Sequence, residues 1–185
     1  MKATKEYFDL SIEELQNLAA WAAECAERSV SIYESSGNED RRPRLALEGA
    51  RDFSASGKRT NQLRKIAMDA YRASLETEDA AASAAARAAS LAAASAFTHP
   101  FRDANQGKHI LGSAVYSALA IELSKGGDRE IGKGELEWAI ARASGELARL
   151  AGKMPEQKAG KKRIDELYQV LDRGLRARSH LAEST

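Results

Sequence analysis

Apolar residues recur every three or four positions along most of this chain, which is the period of an amphipathic α-helix. The first such segment opens with Ser11 and Glu14, which have the spacing of a capping box. It ends at the Ser-Ser-Gly-Asn cluster of residues 35–38, a strong helix breaker. The residues between predict one buried helix face: Leu15, Leu18, Trp21, Ala22, Cys25, Ser29, Val30 and Tyr33.

Three more helices are predicted before residue 98. Pro43 suits the first residue of the second helix, where its missing N–H costs nothing, and that helix stops near Gly57. Thr60 or Asn61 caps the third helix. Thr77 caps the fourth, which is rich in alanine.

A loop framed by Pro100 and Gly107 follows, and the fifth helix runs from about His109 to Ser124. Glu122 is the only acid of this predicted helix, and the helix contains no Lys or Arg. We therefore expect most sides of the helix to be buried.

Two further apolar stripes, 136–150 and 164–175, predict an antiparallel helical hairpin at the end of the chain. No segment alternates apolar and polar residues with β-branched side chains, so we predict no sheet. The expected fold is all-α, with about seven helices packed as antiparallel hairpins around a central alanine-rich helix pair. Residues 1–127 would form a helical core, and residues 128–185 a C-terminal helical hairpin packed on the same domain.

The stretch Ala80–Phe97 is the expected centre of the fold. Arg87 is its only charge, and a helix without a polar face is normally surrounded by other helices. Its small side chains would let the neighbouring helices, including the fifth, approach closely. The alternative is an alanine-rich helix on the surface. A membrane span is disfavoured because alanine and serine are weakly hydrophobic and Arg87 would lie near mid-membrane.

Composition and charge narrow the class of partner. The chain has 185 residues, 43% apolar and 30% charged, as in an ordinary globular domain. Its net charge of +1 provides no electrostatic footprint for nucleic acid or an anionic membrane, so neither is expected as a partner. The lone Cys25 fits a reducing compartment, and no signal peptide is recognisable; we predict a cytoplasmic protein.

Residue types that carry catalysis or bind metals are scarce. No Glu or Asp lies three residues before His99, His109 or His180, so the di-iron pattern of paired helices is absent, and no zinc, nucleophile-elbow or phosphate-loop motif occurs. Cys25 lies on the buried stripe, where a thiol is usually part of the core. We therefore predict no catalytic residue, metal or cofactor. The alternative is a small helical enzyme or metal-binding protein that brings His99, His109 and Cys25 together.

Two basic runs are candidate binding features. Arg41, Arg42 and Arg44 crowd the start of the second helix. They either pair with nearby acids such as Asp40 or an acid of helix one, or present a fork to a phosphate or a partner carboxylate. The second run, Lys158 to Arg163, is interpreted as a solvated turn.

Several spaced blocks of the chain resemble a bacterial family of helical immunity proteins, the immunity five-like group of polymorphic toxin systems. The blocks are WAxxCAER at 21–28, DRRPR at 40–44, ExAR at 48–51, TH at 98–99 and HILGSAVY at 109–116. The resemblance covers roughly residues 10 to 125. It implies a non-enzymatic protein that binds and neutralises a cognate protein toxin in the producing cell.

The resemblance also implies that residues from different helices meet around one polar centre, either a buried network or a partner-binding surface. Occlusion of the toxin's active site would be the mechanism. The anchors would lie in the loop after the alanine-rich helix and at residues 41–44, which we call the RRPR corner. The candidate residues are Trp21, Asp40, Arg42, Arg44, His99, Phe101, Arg102, His109 and Tyr116.

Overall fold

Helices account for nearly all regular structure in residues 6–37 and 39–183, which this computed structural model describes, with side chains as far as Ser179. Within those ranges there is no strand; a short 3₁₀ turn covers Ser95–Phe97, and one antiparallel bridge joins Tyr7 to Phe101. The α-helices are α1 Ile12–Glu34, α2 Arg42–Ser56, α3 Asn61–Glu76, α4 Ala80–Ala94, α5 Ala104–Ser124, α6 Arg129–Arg142, α7 Gly145–Gly152 and α8 Arg163–Glu183. The predicted all-α class is confirmed.

Local signals set several helix ends as predicted. The Ser11 hydroxyl accepts a hydrogen bond from the Glu14 amide at 3.0 Å, and the Glu14 carboxylate accepts one from the Ser11 amide at 2.8 Å. Thr60 caps α3 by accepting from the Leu63 amide. Gly57 ends α2 with φ at 67°, a left-handed conformation that glycine adopts without strain.

Three boundaries differ from the prediction. Asp79, not Thr77, caps α4, because its carboxylate accepts from the Ala82 amide. Asp103 caps α5 in the same way, so that helix begins at Ala104 rather than near His109. The helix expected over 136–150 is interrupted at Ser144. The Ser144 hydroxyl accepts a hydrogen bond from the Leu147 amide and caps the start of α7. This break gives eight α-helices in the described ranges, where about seven were expected.

The alanine-rich helix α4 is enclosed by α1, α2, α3 and α5, which confirms the predicted spine. Ala88 and Ala92 have no exposed surface. Serine side chains on α4 and α5 reach backbone carbonyls of neighbouring helices: Ser90 donates to Ala67 on α3 at 2.8 Å, and Ser113 donates to Ala22 on α1 at 2.7 Å. The helices therefore pack at very short separation, which small residues permit.

The last three helices pack on α5 and α1. Buried residues of α8, among them Leu167, Leu171 and Leu175, belong to the same hydrophobic core as α1, α4 and α5. Arg163, at the start of α8, reaches the buried carboxylate of Glu122 on α5. The interpretation of the Lys158–Arg163 run as a solvated turn is thus wrong for Arg163, because a buried acid lies opposite it.

In the described ranges, no helix combines the length and the apolarity needed to cross a membrane. The division of the chain at residue 127 stays a prediction.

Candidate functional site

Trp21 holds α1 against α6. Its side chain is buried, and the indole Nε1 donates to the carbonyl oxygen of Ala139 at 2.9 Å. Its hydrogen-bonding group is therefore satisfied inside the fold.

The corner that joins α1 to α2 is built around Asp40. Its carboxylate accepts from the Arg42 side chain at 2.9 Å, from the Arg42 amide at 2.9 Å and from the Tyr33 hydroxyl at 2.9 Å. The hydrogen bond from Arg42 lowers the pKa of Asp40 to about 2. Burial raises the pKa of Tyr33 to about 12. Arg42 also pairs with Glu76 on α3, so the corner ties three helices together.

Arg44 pairs with two glutamates of α1. Its guanidinium donates to Glu34 at 2.7 Å and to Glu27 at 2.9 Å, and Glu27 also accepts from Arg51 at 2.7 Å. The exposed Arg41 lies 3.5 Å from Glu48. All three arginines of the corner thus have acidic partners. This is the first of the two interpretations of the sequence, in which the arginines pair with nearby acids.

The loop after α4 carries His99, Phe101 and Arg102 at the surface, where it pairs with the segment before α1. The Phe8 amide donates to the Pro100 carbonyl, and the Arg102 amide donates to the Glu6 carbonyl. The Phe101 ring stacks on His99 at 5.8 Å between centroids. The Arg102 side chain lies 3.2 Å from the Glu6 carboxylate.

Tyr116 lines a groove of about 420 Å³ between α3, α4 and α5, which we call the tyrosine groove. The guanidinium carbon of Arg87 lies 3.9 Å from the ring centre of Tyr71 and 5.8 Å from that of Tyr116. The ring of Tyr116 also meets Tyr168 edge to face at 6.5 Å. The walls are completed by residues that include Leu75, Leu119 and Leu123.

Sequence reasoning did not select Arg87 or Tyr71. The available signal was the position of Arg87 as the one charge within an otherwise apolar helix. Such a side chain must carry its guanidinium to the edge of the core, where it finds aromatic faces or solvent.

His109 on α5 is half-buried, and its Nδ1 atom is buried without a hydrogen-bond partner in the described part of the chain. Burial lowers the pKa of His109, and the nearby positive charge of Arg87 and the proximity of His99 lower it further. Burial and these charges therefore favour the neutral imidazole over its protonated form.

The nine candidates are not joined into one hydrogen-bonded network within the described residues, and their role as a partner-binding surface stays a prediction. Among the described residues, no hydrogen bond or ion pair joins the Asp40 corner to Trp21, His99 or His109. The physical reason is that each group has a partner nearby. The corner arginines pair with acids on α1 and α3, and the Trp21 indole donates to a carbonyl on α6. The structure brings together subsets of the candidates: Asp40 with Arg42, His99 with Phe101, and His99 with His109.

Cys25 lies apart from this chemistry, between α1, α5 and α6, and burial strongly raises the pKa of its thiol. The charges that act on it come from Glu24, Arg28 and Glu135, and neither His99 nor His109 is among them. In the ranges that the structure describes, no group of three or more histidine, cysteine or acidic side chains is arranged to hold a metal ion.

We expect the free energy of unfolding to fall as the pH is lowered through about 6.5, the ordinary pKa of histidine. The pKa of His109 is lower in the folded state, so the unfolded chain takes up this proton first and gains stability relative to the fold. Urea unfolding between about pH 5 and pH 8 measures the slope, and His109→Gln should flatten it. The exposed His99 supplies the control, since His99→Gln should keep most of the slope; an unchanged slope in His109→Gln would contradict the assignment.

Comparison with known proteins adds one finding. A protein-family model described as "Imm-5 like putative immunity protein" matches residues 9–146, which span α1 to α6 and the first residues of α7. All nine candidate residues and the tyrosine groove lie within the match. No curated protein and no solved structure matches the chain.

Proposed function

The chain belongs to the Imm-5-like immunity protein family, and we propose that it is a non-enzymatic protein that binds and neutralises a cognate bacterial toxin in the cytoplasm. The match over residues 9–146 carries this proposal, because it covers most of the helical core and all the candidate residues. The toxin partner itself is inferred from the family and not from any residue's chemistry.

We propose occlusion of the toxin's active site as the mechanism. A binding protein of this kind needs a few buried anchors surrounded by charges that set selectivity. The corner arginines Arg42 and Arg44 are already paired within the fold, so their role is to keep α1, α2 and α3 in register. Phe101 and Arg102 remain candidate contacts in the surface loop.

The direct test takes the products of neighbouring genes as candidate toxins and co-expresses each of them with this protein. Co-expression is expected to restore growth, and the two purified proteins should form a complex in size-exclusion chromatography. Because the proposed mechanism is occlusion, the complex should also lack the toxin's activity in a purified assay. A toxin from an unrelated system is the control and should be neither bound nor inhibited. Binding without inhibition would contradict occlusion, and the absence of a complex would contradict the proposed function.

A further inference from the structure

The tyrosine groove holds a guanidinium that has no anionic partner. Arg87 makes no ion pair and donates no hydrogen bond among the residues that the structure describes. One face of its guanidinium lies over the Tyr71 ring. The N–H donors of a guanidinium lie in its plane, so stacking on a ring leaves them available at the edge.

No acidic side chain of α3, α4 or α5 is free to neutralise Arg87, and the exposed Glu78 and Asp79 just before α4 do not line the groove. Arg87 is the only charged residue lining the groove, and α4 contains no acidic residue. The acids of α3 and α5 are committed elsewhere: Glu76 to Arg42, Asp69 to Lys65 and Arg72, and Glu122 to Arg163. The groove therefore presents a positive charge to whatever binds there.

The walls beside Arg87 are apolar and unusually exposed. Leu75 is 67% exposed and Leu123 is 37% exposed, one on each side of the groove. The hydroxyls of Tyr71 and Tyr116 form no hydrogen bond within the described part of the chain. Apolar walls around a few unsatisfied polar groups are typical of a ligand pocket or an anchor site in a protein interface.

These properties favour one class of ligand. A nucleic acid would need a row of several cations, whereas this groove contains a single cation, Arg87. A single carboxylate matches the charge and the planar fork of one arginine. Resting on the proposed function, which makes the partner a protein, we propose that the tyrosine groove receives an aspartate or glutamate side chain of the toxin, with an apolar residue beside it against Leu75 and Leu123.

Short peptides test this without the toxin. The probes are acetyl-Glu-Leu-amide and its uncharged match, acetyl-Gln-Leu-amide, titrated into ¹⁵N-labelled protein while the Arg87 Nε–Hε resonance is followed by NMR. The glutamate peptide should shift this resonance saturably. It should bind at least about fivefold more tightly than the glutamine peptide, because hydrogen bonds between ionised groups are stronger than those to a neutral amide.

Variants separate the charge from the walls. Arg87→Met should abolish the preference for the glutamate peptide, as followed by the Tyr71 and Tyr116 resonances. Leu75→Ala changes an exposed position, so this variant should fold normally. It should weaken the binding of both peptides by the same factor. Arg64→Met is the matched control: Arg64 stacks on Phe97 at 4.6 Å outside the groove, and its loss should leave both titrations unchanged.

Three results would overturn the assignment: equal binding of the two peptides, shifts confined to another surface, or tighter binding of inorganic phosphate than of the glutamate peptide. A toxin that binds the protein while the peptide titration fails removes this inference alone. A successful titration without toxin binding removes the proposed function and leaves the carboxylate site standing, without its assigned partner.

Discussion

Replacing Arg163 by methionine is expected to lower the free energy of unfolding by about 3–5 kcal/mol. The Arg163 guanidinium donates to the Glu122 carboxylate at 2.7 Å and 3.0 Å, and the two side chains are 19% and 4% exposed. The variant would leave the glutamate as an unpaired charge inside the protein. Urea unfolding followed by circular dichroism measures the loss.

Two controls show whether burial causes the effect. Arg129→Met removes an exposed pair with Glu166 at 3.4 Å and should cost less than about 1 kcal/mol. The double variant Glu122→Leu with Arg163→Met should recover much of the lost stability, because neither charge then remains. Equal losses for Arg163→Met and Arg129→Met would contradict the account.

Enlarging α4 at its enclosed face is expected to cost about 1–3 kcal/mol for either Ala88→Leu or Ala92→Leu. Neither alanine has exposed surface, and α4 is enclosed by four helices, so the added atoms have no space unless a neighbour moves. Leucine is almost as good a helix former as alanine, so the loss would report packing and not propensity.

The matched control lies on the same helix. Ala80 is exposed at the first turn of α4, and Ala80→Leu should change the free energy of unfolding by no more than about 0.5 kcal/mol. Thermal or urea unfolding of the three variants makes the comparison. Neutral values at Ala88 and Ala92 would show that the small-residue contacts around α4 are looser than described.

Features with local causes were predictable from the sequence. The capping box of Ser11 and Glu14 and the glycine stop at Gly57 need no partner from another helix, and both lie where expected. The enclosed position of α4 followed from its lack of a polar face. The acids beside the RRPR corner are close in sequence or one helix away, so the pairing of Asp40 with Arg42 was within reach.

Features that depend on distant partners were not predictable. Glu122 and Arg163 are 41 positions apart, and nothing near either residue indicates the other. The apolar stripe over 136–150 concealed the change from α6 to α7, although the Ser144 cap that starts α7 is itself a local signal. The tyrosine groove arises from the register of three helices, which brings Tyr71 and Tyr116 to the two sides of Arg87.

The end of the family match has a consequence for how this protein is divided. Residue 146 lies at the start of α7, whereas the partner of Glu122 and the buried leucines of α8 come later in the chain. A fragment trimmed to the recognised segment would keep every candidate residue and lose the cover of α5 and α6. The segment matched by the family model is thus shorter than the segment that contributes to the hydrophobic core. A truncated or transplanted fragment would have to keep every helix that contributes to this core.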